Sequence, residues 1–270
     1  MRNRKSASGA SSFYPNNVPE VLSALATEVV ASQPDLLLTT HDLAAMALAK
    51  NTKSIPIVFG ISPDPVASGL ARKLQRPGGN LTGMTTMVGE LGPKRLEVLR
   101  DAVPGMAHIA VLFEPANAAA VAEAKAIEQA ALRLGLRVTP IELRQVADMA
   151  PAFKRGAAQR VNAYVGVQGA LLTISHRVLA DAALQFKIPG ITANGASVDA
   201  GGLLSYGPAN DDNFRRAAAY VDKIFKGAKA GDLAIEQPVK FDLMVNMKTA
   251  KAMGLSIAQT FLLRADRVIE

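Results

Sequence analysis

"IPIVFGISPDPVASGLARKLQRPGGNLTG", residues 55–83, decides how the rest of the chain is read. It opens with an apolar run, turns through Asp64 between two prolines, continues with helix-like spacing from Val66 to Leu74 and returns through "RPGGN" to a second apolar start. The run at 55–60 has no polar alternation, which suits a strand covered on both faces, as in a parallel sheet. A strand followed by a polar turn and a glycine-rich return is a strand that delivers a loop to a binding cleft. The question is whether that loop performs chemistry or only holds something.

The same unit recurs on either side. Val18 to Ser32 places apolar residues at Val18, Val21, Leu22, Leu25, Val29 and Val30, the spacing of a helix with one buried face. "DLLLTT" (35–40) predicts a strand, "LAAMALAK" a helix, "NLTGMTT" a short strand, and Glu90 to Ala102 a helix with Leu91, Leu96 and Leu99 inward. The pattern then restarts: strand "HIAVLF", an alanine-rich helix from Ala118 stopped by Gly135, strand "LRVTPIEL", helix Ala147 to Arg160, strand "NAYVGV", helix Leu171 to Phe186, and strands "IPGITA" and "GLLSYG". Two sets of strand–helix alternation predict an α/β chain with two parallel-sheet lobes and right-handed crossovers, joined near Met87 to Gly92. The tail adds an amphipathic helix from Asp211 to Gly227, with Phe214, Ala218, Val221, Ile224 and Phe225 inward. It continues with a strand in "QPVKFDLMVNM" and a helix in "KTAKAMG". Such additions imply a chain that crosses between its lobes more than once.

Composition narrows the function. The 270 residues are 49% apolar and 20% charged, a globular balance with room for one large domain or two ordinary lobes. There is no cysteine, which excludes disulfides, thiolate metal sites and a cysteine nucleophile. No apolar run approaches the roughly 20 residues of a bilayer span. The net charge of +7 comes from an amino-terminal arm (Arg2, Arg4, Lys5) and from helices bearing Arg72, Lys73, Arg76, Lys94, Arg95 and Arg100. No aromatics interleave with them, so they read as solvated surface and not as a nucleic-acid face. "MRNRKSASGASSFYPNN" begins basic without an apolar h-region, so this stretch is not a secretory signal peptide.

In parallel α/β sheets ligands bind beyond the carboxyl ends of the strands. Those positions carry Thr40, His41 and Asp42 after "DLLL"; Ser62 and Asp64 after "IPIVFG"; Glu114 and Asn117 after "HIAVLF"; Gln168 after "NAYVGV"; Asn194 after "IPGITA"; and Tyr206 after "GLLS". Several open helices, whose free N–H groups suit a carboxylate. The same residue types also cap helices for stability alone, so Asp42 and Asn117 can serve either role or both. The expectation is a carboxylate at one of those two helix starts, with Asp64 paired to a cationic or hydroxyl group of the ligand.

Catalytic constellations do not stand out. No G-x-G-x-x-G follows a strand, and there is no G-x-x-x-x-G-K-[ST] and no G-x-S-x-G. The three histidines, at 41, 108 and 176, have no ligating partner at i+3 or i+4. Ser175 and His176 are neighbours within a predicted helix and diverge. The reading is binding without turnover: no catalytic residues, metal or cofactor. The alternatives are an enzyme or a regulatory ligand sensor on the same two-lobe fold.

At this point the sequence resembles a known family. "LQRPGGNLTG" after a D-P-V turn, "KRLEVLRDAVPGMAHIAVLFEPAN", "AGGLLSYGP", "FRRAAAYVDKIFKGAKAGDLAIEQPVKFDLMVNMKTAKAMGL" and the closing "LLRADRVIE" are similar to the ABC-transporter substrate-binding proteins, in order and from about residue 18 onward. The resemblance implies the class I periplasmic binding protein fold, with two Rossmann-like lobes, a three-strand hinge and a small ligand closed between them. It places residues 1–87 and 208–240 in lobe one, and residues 88–207 and 241–270 in lobe two. It adds Thr85 and Thr86 to the ligand loops, besides Thr40 to Asp42, Ser62 to Asp64, Glu114 to Asn117 and Tyr206. It also implies a membrane permease as partner, no nucleic acid, a monomer, and a periplasmic or extracellular, membrane-associated setting. The ligand class is an amino acid or a similar small carboxylate. Glu114 departs from the family pattern, which more usually has a neutral polar residue there.

One expectation concerns the first lobe. "DLLLTT" reads as an interior strand, and an interior strand needs a neighbour on each side. "IPIVFG" supplies one; upstream, Ser11 to Tyr14 offers at most a short remnant. The lobe therefore reads as incomplete. The family pattern places a further strand–helix unit, a strand and an apolar leader before Val18.

Overall fold

A computed structural model describes residues 4–5, 11–12, 19–40, 42–87 and 91–270. The chain divides into two compact units, Met1–Met87 with Asn210–Pro238 and Val88–Ala209 with Val239–Glu270, so it passes from one unit to the other three times.

In the first unit, strands β1 (Arg4–Lys5) and β2 (Ser11–Ser12) pair antiparallel with each other. The short remnant expected beside "DLLLTT" is therefore not realised at Ser11 and Ser12; Tyr14 lies outside the described residues. The central sheet runs β3 (Leu37–Thr39), β4 (Ile57–Ser62), β5 (Leu81–Thr85), all parallel. Helices α1 (Pro19–Ala31) and α2 (Asp42–Asn51) supply one covering layer, and α9 (Asn210–Phe225) the other. Alternation along β4 explains the two layers. Ile57 and Phe59 join Ala26, Ala45 and Leu48 in one core, while Val58 joins Met84, Ala217, Tyr220 and Ile224 in the other. Every residue of β4 is buried. Leu37 of β3 is buried but Leu38 is 59% exposed, and among the described residues β3 pairs only with β4. Among the described residues, the strand read as interior therefore has a neighbour on one side only.

One expected helix does not form, and another turns a different face inward, both for local reasons. Val66 to Leu74 forms turns, not a helix. One helical turn starts, with the Ser68 amide donating to the Asp64 carbonyl at 3.0 Å, but Gly69 takes a left-handed φ of +77° and stops it. In α9 the buried stripe is Asn213, Ala217, Tyr220 and Ile224, at spacings of four, three and four. Ala218 and Phe225 face outward, and Phe214 lies at the flank of the stripe.

The second unit is a seven-stranded sheet in the order β12-β11-β10-β9-β8-β6-β7. Strands β6 (His108–Phe113), β7 (Arg137–Glu142), β8 (Ala163–Gly166), β9 (Gly190–Thr192) and β10 (Leu204–Pro208) are parallel. β11 (Phe241–Asn246) runs antiparallel to β10 and parallel to β12 (Arg267–Ile269). Ile109 and Val111 of β6 pack with α3 (Gly92–Ala102) and α4 (Ala118–Arg133); Ala110 and Leu112 pack with α5 (Met149–Ala158) and α7 (His176–Gln185). The single helix expected over 171–186 is two, α6 (Ala170–Ile174) and α7, because Ser175 leaves helical geometry (φ −130°, ψ 33°) and turns its hydroxyl back to the Leu171 carbonyl. Ser175 therefore stands at the junction and His176 opens α7. The remaining helices are α8 (Ala196–Asp199), α10 (Met247–Met253) and α11 (Gln259–Leu262).

Arg95 corrects the reading of the basic residues as solvated. It is completely buried and ion-paired with Glu123, so it joins α3 to α4. Burial pulls the Arg95 guanidinium down and pushes the Glu123 carboxyl up, and the attraction between the two opposes both shifts. The helices approach closely here: a side chain at Gly92 would come within 2.8 Å of Ile127.

Candidate functional site

In the first unit the loops at the carboxyl ends of β3, β4 and β5 carry the sequence-predicted residues. Thr40 is exposed at the end of β3 and α2 begins at Asp42, while His41 lies outside the described residues. β4 and β5 lose register between Phe59 and Ser62: three residues of β4 (Gly60 to Ser62) oppose two of β5 (Met84 and Thr85). Such an extra residue re-aims the end of a strand. Ser62, Thr85 and Thr86 come together there, each at most 1% exposed. The Thr86 amide donates to the Ser62 carbonyl at 2.8 Å, and the Thr85 hydroxyl donates to the Pro63 carbonyl at 3.3 Å. Asp64 is exposed, and its Oδ1 accepts from the amides of Val66 (3.0 Å) and Ala67 (2.9 Å). Its first role is to hold the turn between the two prolines.

The segment that leaves the first unit is fastened to the same sheet. The Glu236 amide donates to the Gly83 carbonyl at 3.1 Å, and the Thr85 amide donates to the Glu236 carbonyl at 2.9 Å, so residue 236 continues the sheet beyond β5. Arg216 of α9 clamps it, donating from Nε to the Glu236 carboxylate at 2.9 Å and from Nη1 to the Gln237 carbonyl at 3.0 Å. Burial alone would raise the Glu236 carboxyl, but the Tyr220 hydroxyl and Arg216 outweigh it and hold the group below its ordinary value.

In the second unit, Asn117 caps α4: its Oδ1 accepts from the amides of Ala119 (3.0 Å) and Ala120 (3.2 Å). Two N–H groups that a carboxylate would use are thereby already engaged. Asn194 does the same for Ala196 at 2.9 Å. Glu114 reaches from the end of β6 to α6, where it accepts from the Leu171 amide at 2.8 Å. Burial raises its carboxyl above the ordinary value, and the Leu171 and Leu172 amides oppose that shift. Gly169 has no side chain because the Glu114 carboxyl carbon would lie 2.7 Å from one. Gln168, just before it, is half-buried. Tyr206 is half-buried and stacks on Phe241 across the β10–β11 pair, ring centroids 6.1 Å apart.

The structure thus groups Ser62, Thr85 and Thr86 in one unit and joins Glu114 to the Gln168–Gly169 turn in the other. Three of the predicted polar residues spend their side chains on local capping. Asn213, buried at the start of α9, was not signalled by the sequence because the apolar Phe214 beside it draws the stripe one position off. A cavity of about 390 Å³ beside β7 and α5 contains none of these residues. Within it Arg144 bonds Glu142 at 2.6 Å, and Asp148 accepts from the Arg144 and Gln145 amides. Among the described residues no three His, Cys, Asp or Glu gather as metal ligands, and no helix is long and apolar enough to cross a membrane.

The model of the ABC transporter substrate binding protein family matches residues 15–269. A tyrosine-binding protein of Clostridioides difficile (strain R20291) is 23% identical over 240 residues, which is 89% of this chain and 68% of that one. A conserved domain protein of Vibrio cholerae has a crystal structure that superposes with a TM-score of 0.82 at 26% identity, over 93% of this chain and 84% of that one. An ABC domain from Streptococcus pneumoniae, solved in complex with L-Trp, gives a TM-score of 0.81 at 22% identity, over 93% of this chain and 86% of that one. The fold is that of the class I periplasmic binding proteins. With the family model spanning nearly its whole length, the chain belongs to the ABC transporter substrate-binding protein family.

Proposed function

We propose that this protein captures an amino acid, or a similar small carboxylate-bearing molecule, for an ABC importer and delivers it unchanged to the membrane permease. Family membership carries the reading of a substrate-binding protein. The ligand class draws support from relatives described as binding tyrosine and L-Trp. Polar loops at the carboxyl ends of both sheets, Ser62 to Asp64 with Thr85 and Thr86 in one unit and Glu114 to Asn117 with Gln168, Asn194 and Tyr206 in the other, provide the contacts. Thr40, His41 and Asp42 complete the set. Binding energy is spent on burial and hydrogen bonds, and no bond of the ligand is broken. The protein acts outside the cytoplasmic membrane, as a monomer, with no cofactor. A thermal-shift screen across amino acids, small carboxylates, sugars and purines tests this. Stabilisation by amino acids or small carboxylates supports the reading; stabilisation confined to sugars or purines refutes the ligand class.

A further inference from the structure

Two polar side chains at one end of the first unit are enclosed and unpartnered. Ser62, the last residue of β4, is 0% exposed, and Asn213, in the first turn of α9, is 1% exposed. Neither the Ser62 hydroxyl nor the Asn213 Nδ2 has a hydrogen-bond partner among the described residues. The carbonyl of Ser62 is engaged by Thr86, so the hydroxyl alone is left over. Enclosed polar groups of folded proteins are nearly always paired, because leaving one unpaired costs stability. Two at one place call for a reason.

The two residues belong to one end of the fold. The ring of Phe214 lies where a side chain at Gly60 would stand, with Cδ1 2.7 Å from the position of its first carbon. The first turn of α9 therefore covers the end of β4. Ser62 follows Gly60 by two residues, within roughly 7 Å along a strand. Asn213 precedes Phe214 by one and belongs to the stripe that faces the sheet through Ala217 and Tyr220. Both groups also share a chemistry. An amide Nδ2 can only donate, and a serine hydroxyl can donate as well, so together they suit a single acceptor, an oxygen. The acidic residue next in the turn does not fill that role, since the Asp212 carboxylate leans toward Arg216, 3.9 Å away.

We propose that Ser62 and Asn213 donate to the carboxylate of the bound solute, and that Asn213 is a specificity-determining residue of the site. This rests on the reading of the protein as a binder of amino acids or small carboxylates. Within that class the carboxylate is the one acceptor every member shares, whatever its side chain. A strand-end hydroxyl and a side-chain amide at the start of a helix recognise it without a cationic residue.

The test uses the full chain and two variants, Ser62→Ala and Asn213→Leu, each close in shape to the residue it replaces. Melting is measured without additive, and calorimetric titration uses L-tyrosine, L-tryptophan and 3,4-dihydroxybenzoate, with tyramine and tryptamine as partners lacking the carboxylate. Each variant should melt at or above the temperature of the unaltered protein, because it removes a group with nothing to bond. Each should bind the carboxylates at least tenfold more weakly. Variants that melt lower and bind as tightly as before overturn the proposal in favour of a structural role, while the protein remains a carboxylate binder. Tight binding of tyramine or tryptamine by the unaltered protein overturns the carboxylate assignment alone. Binding of none of the carboxylates, by a protein that another solute stabilises, overturns this proposal together with the ligand class.

Discussion

Phe214 of α9 rests its ring on Gly60 of β4, so helix and strand meet at a position where neither can gain an atom without moving the other. Gly60→Ala should push the ring aside and cost about 1–3 kcal/mol, the usual range for overpacking a core. Phe214→Leu should relieve part of that cost. Urea unfolding of the two single variants and the double variant should therefore give a coupling of about 0.5 kcal/mol or more. Strictly additive effects would show that the ring does not constrain Gly60.

The Arg95–Glu123 pair should behave as a buried ion pair. Removing one partner, as in Glu123→Leu, takes this counter-charge from a buried Arg95 and should cost about 3–5 kcal/mol. Replacing both with leucine should recover most of that loss, since desolvation then disappears with the charges. Chemical denaturation of the three variants checks this; a double variant as unstable as the worse single one would refute it.

Glu114 predicts a pH dependence with a definite sign. Its carboxyl is raised in the folded protein, with burial the first cause. A raised folded pKa means that the stabilisation from protonation is fully present below the ordinary carboxylate value and is lost as pH rises through the raised one. Glu114→Gln keeps an acceptor for the Leu171 amide and should flatten this part of the melting profile. Glu114→Ala removes the acceptor and should cost about 0.5–2 kcal/mol, as the loss of a helix cap does. Identical profiles for the unaltered protein and Glu114→Gln would contradict the assignment.

Arg216 should control how firmly residues 234–238 stay on the sheet. Arg216→Ala should speed hydrogen exchange at the Glu236 and Thr85 amides, which join the segment to β5, and leave the Val58 amide in the covered strand β4 protected. Unchanged exchange at both positions would mean that the backbone pairing needs no clamp.

Much of this architecture was legible in the sequence. Unalternating runs such as "HIAVLF" and "IPIVFG" gave the strands, and the alternation of runs with helical spacing gave the parallel α/β class. What escaped was set by single residues or by tertiary contacts. Gly69 stops a helix after one turn through its left-handed backbone, which spacing alone does not reveal. Ser175 divides a helix that apolar periodicity carries straight through. Arg95 looks like any surface base until Glu123 arrives from 28 residues away to neutralise it. In α9 a stripe through Phe214 and one through Asn213 differ by a single residue, and hydrophobicity favours the wrong one, because the buried position holds an amide. The loops proposed for the site were legible as strand ends. Which side chains cap a helix and which remain free to meet a ligand depends on hydrogen-bond partners that the sequence does not display. Asp64 already holds a turn and Asn117 and Asn194 already cap helices, so they would meet a ligand only through what those bonds leave over, whereas the Ser62 hydroxyl has no partner among the described residues.

On the function proposed above, the chain binds a small amino acid or carboxylate and releases it unaltered. The most direct measurement is calorimetric titration of the full chain with amino acids and small carboxylates, L-tyrosine and L-tryptophan among them, followed by mass spectrometry of the recovered solute. The expected result is saturable binding of one molecule per chain and recovery of the same compound. Ligand at 100 times its dissociation constant should also stabilise the protein by roughly 2.7 kcal/mol. No binding by any member of that class, or steady conversion of the bound compound to a product, would contradict the proposed function.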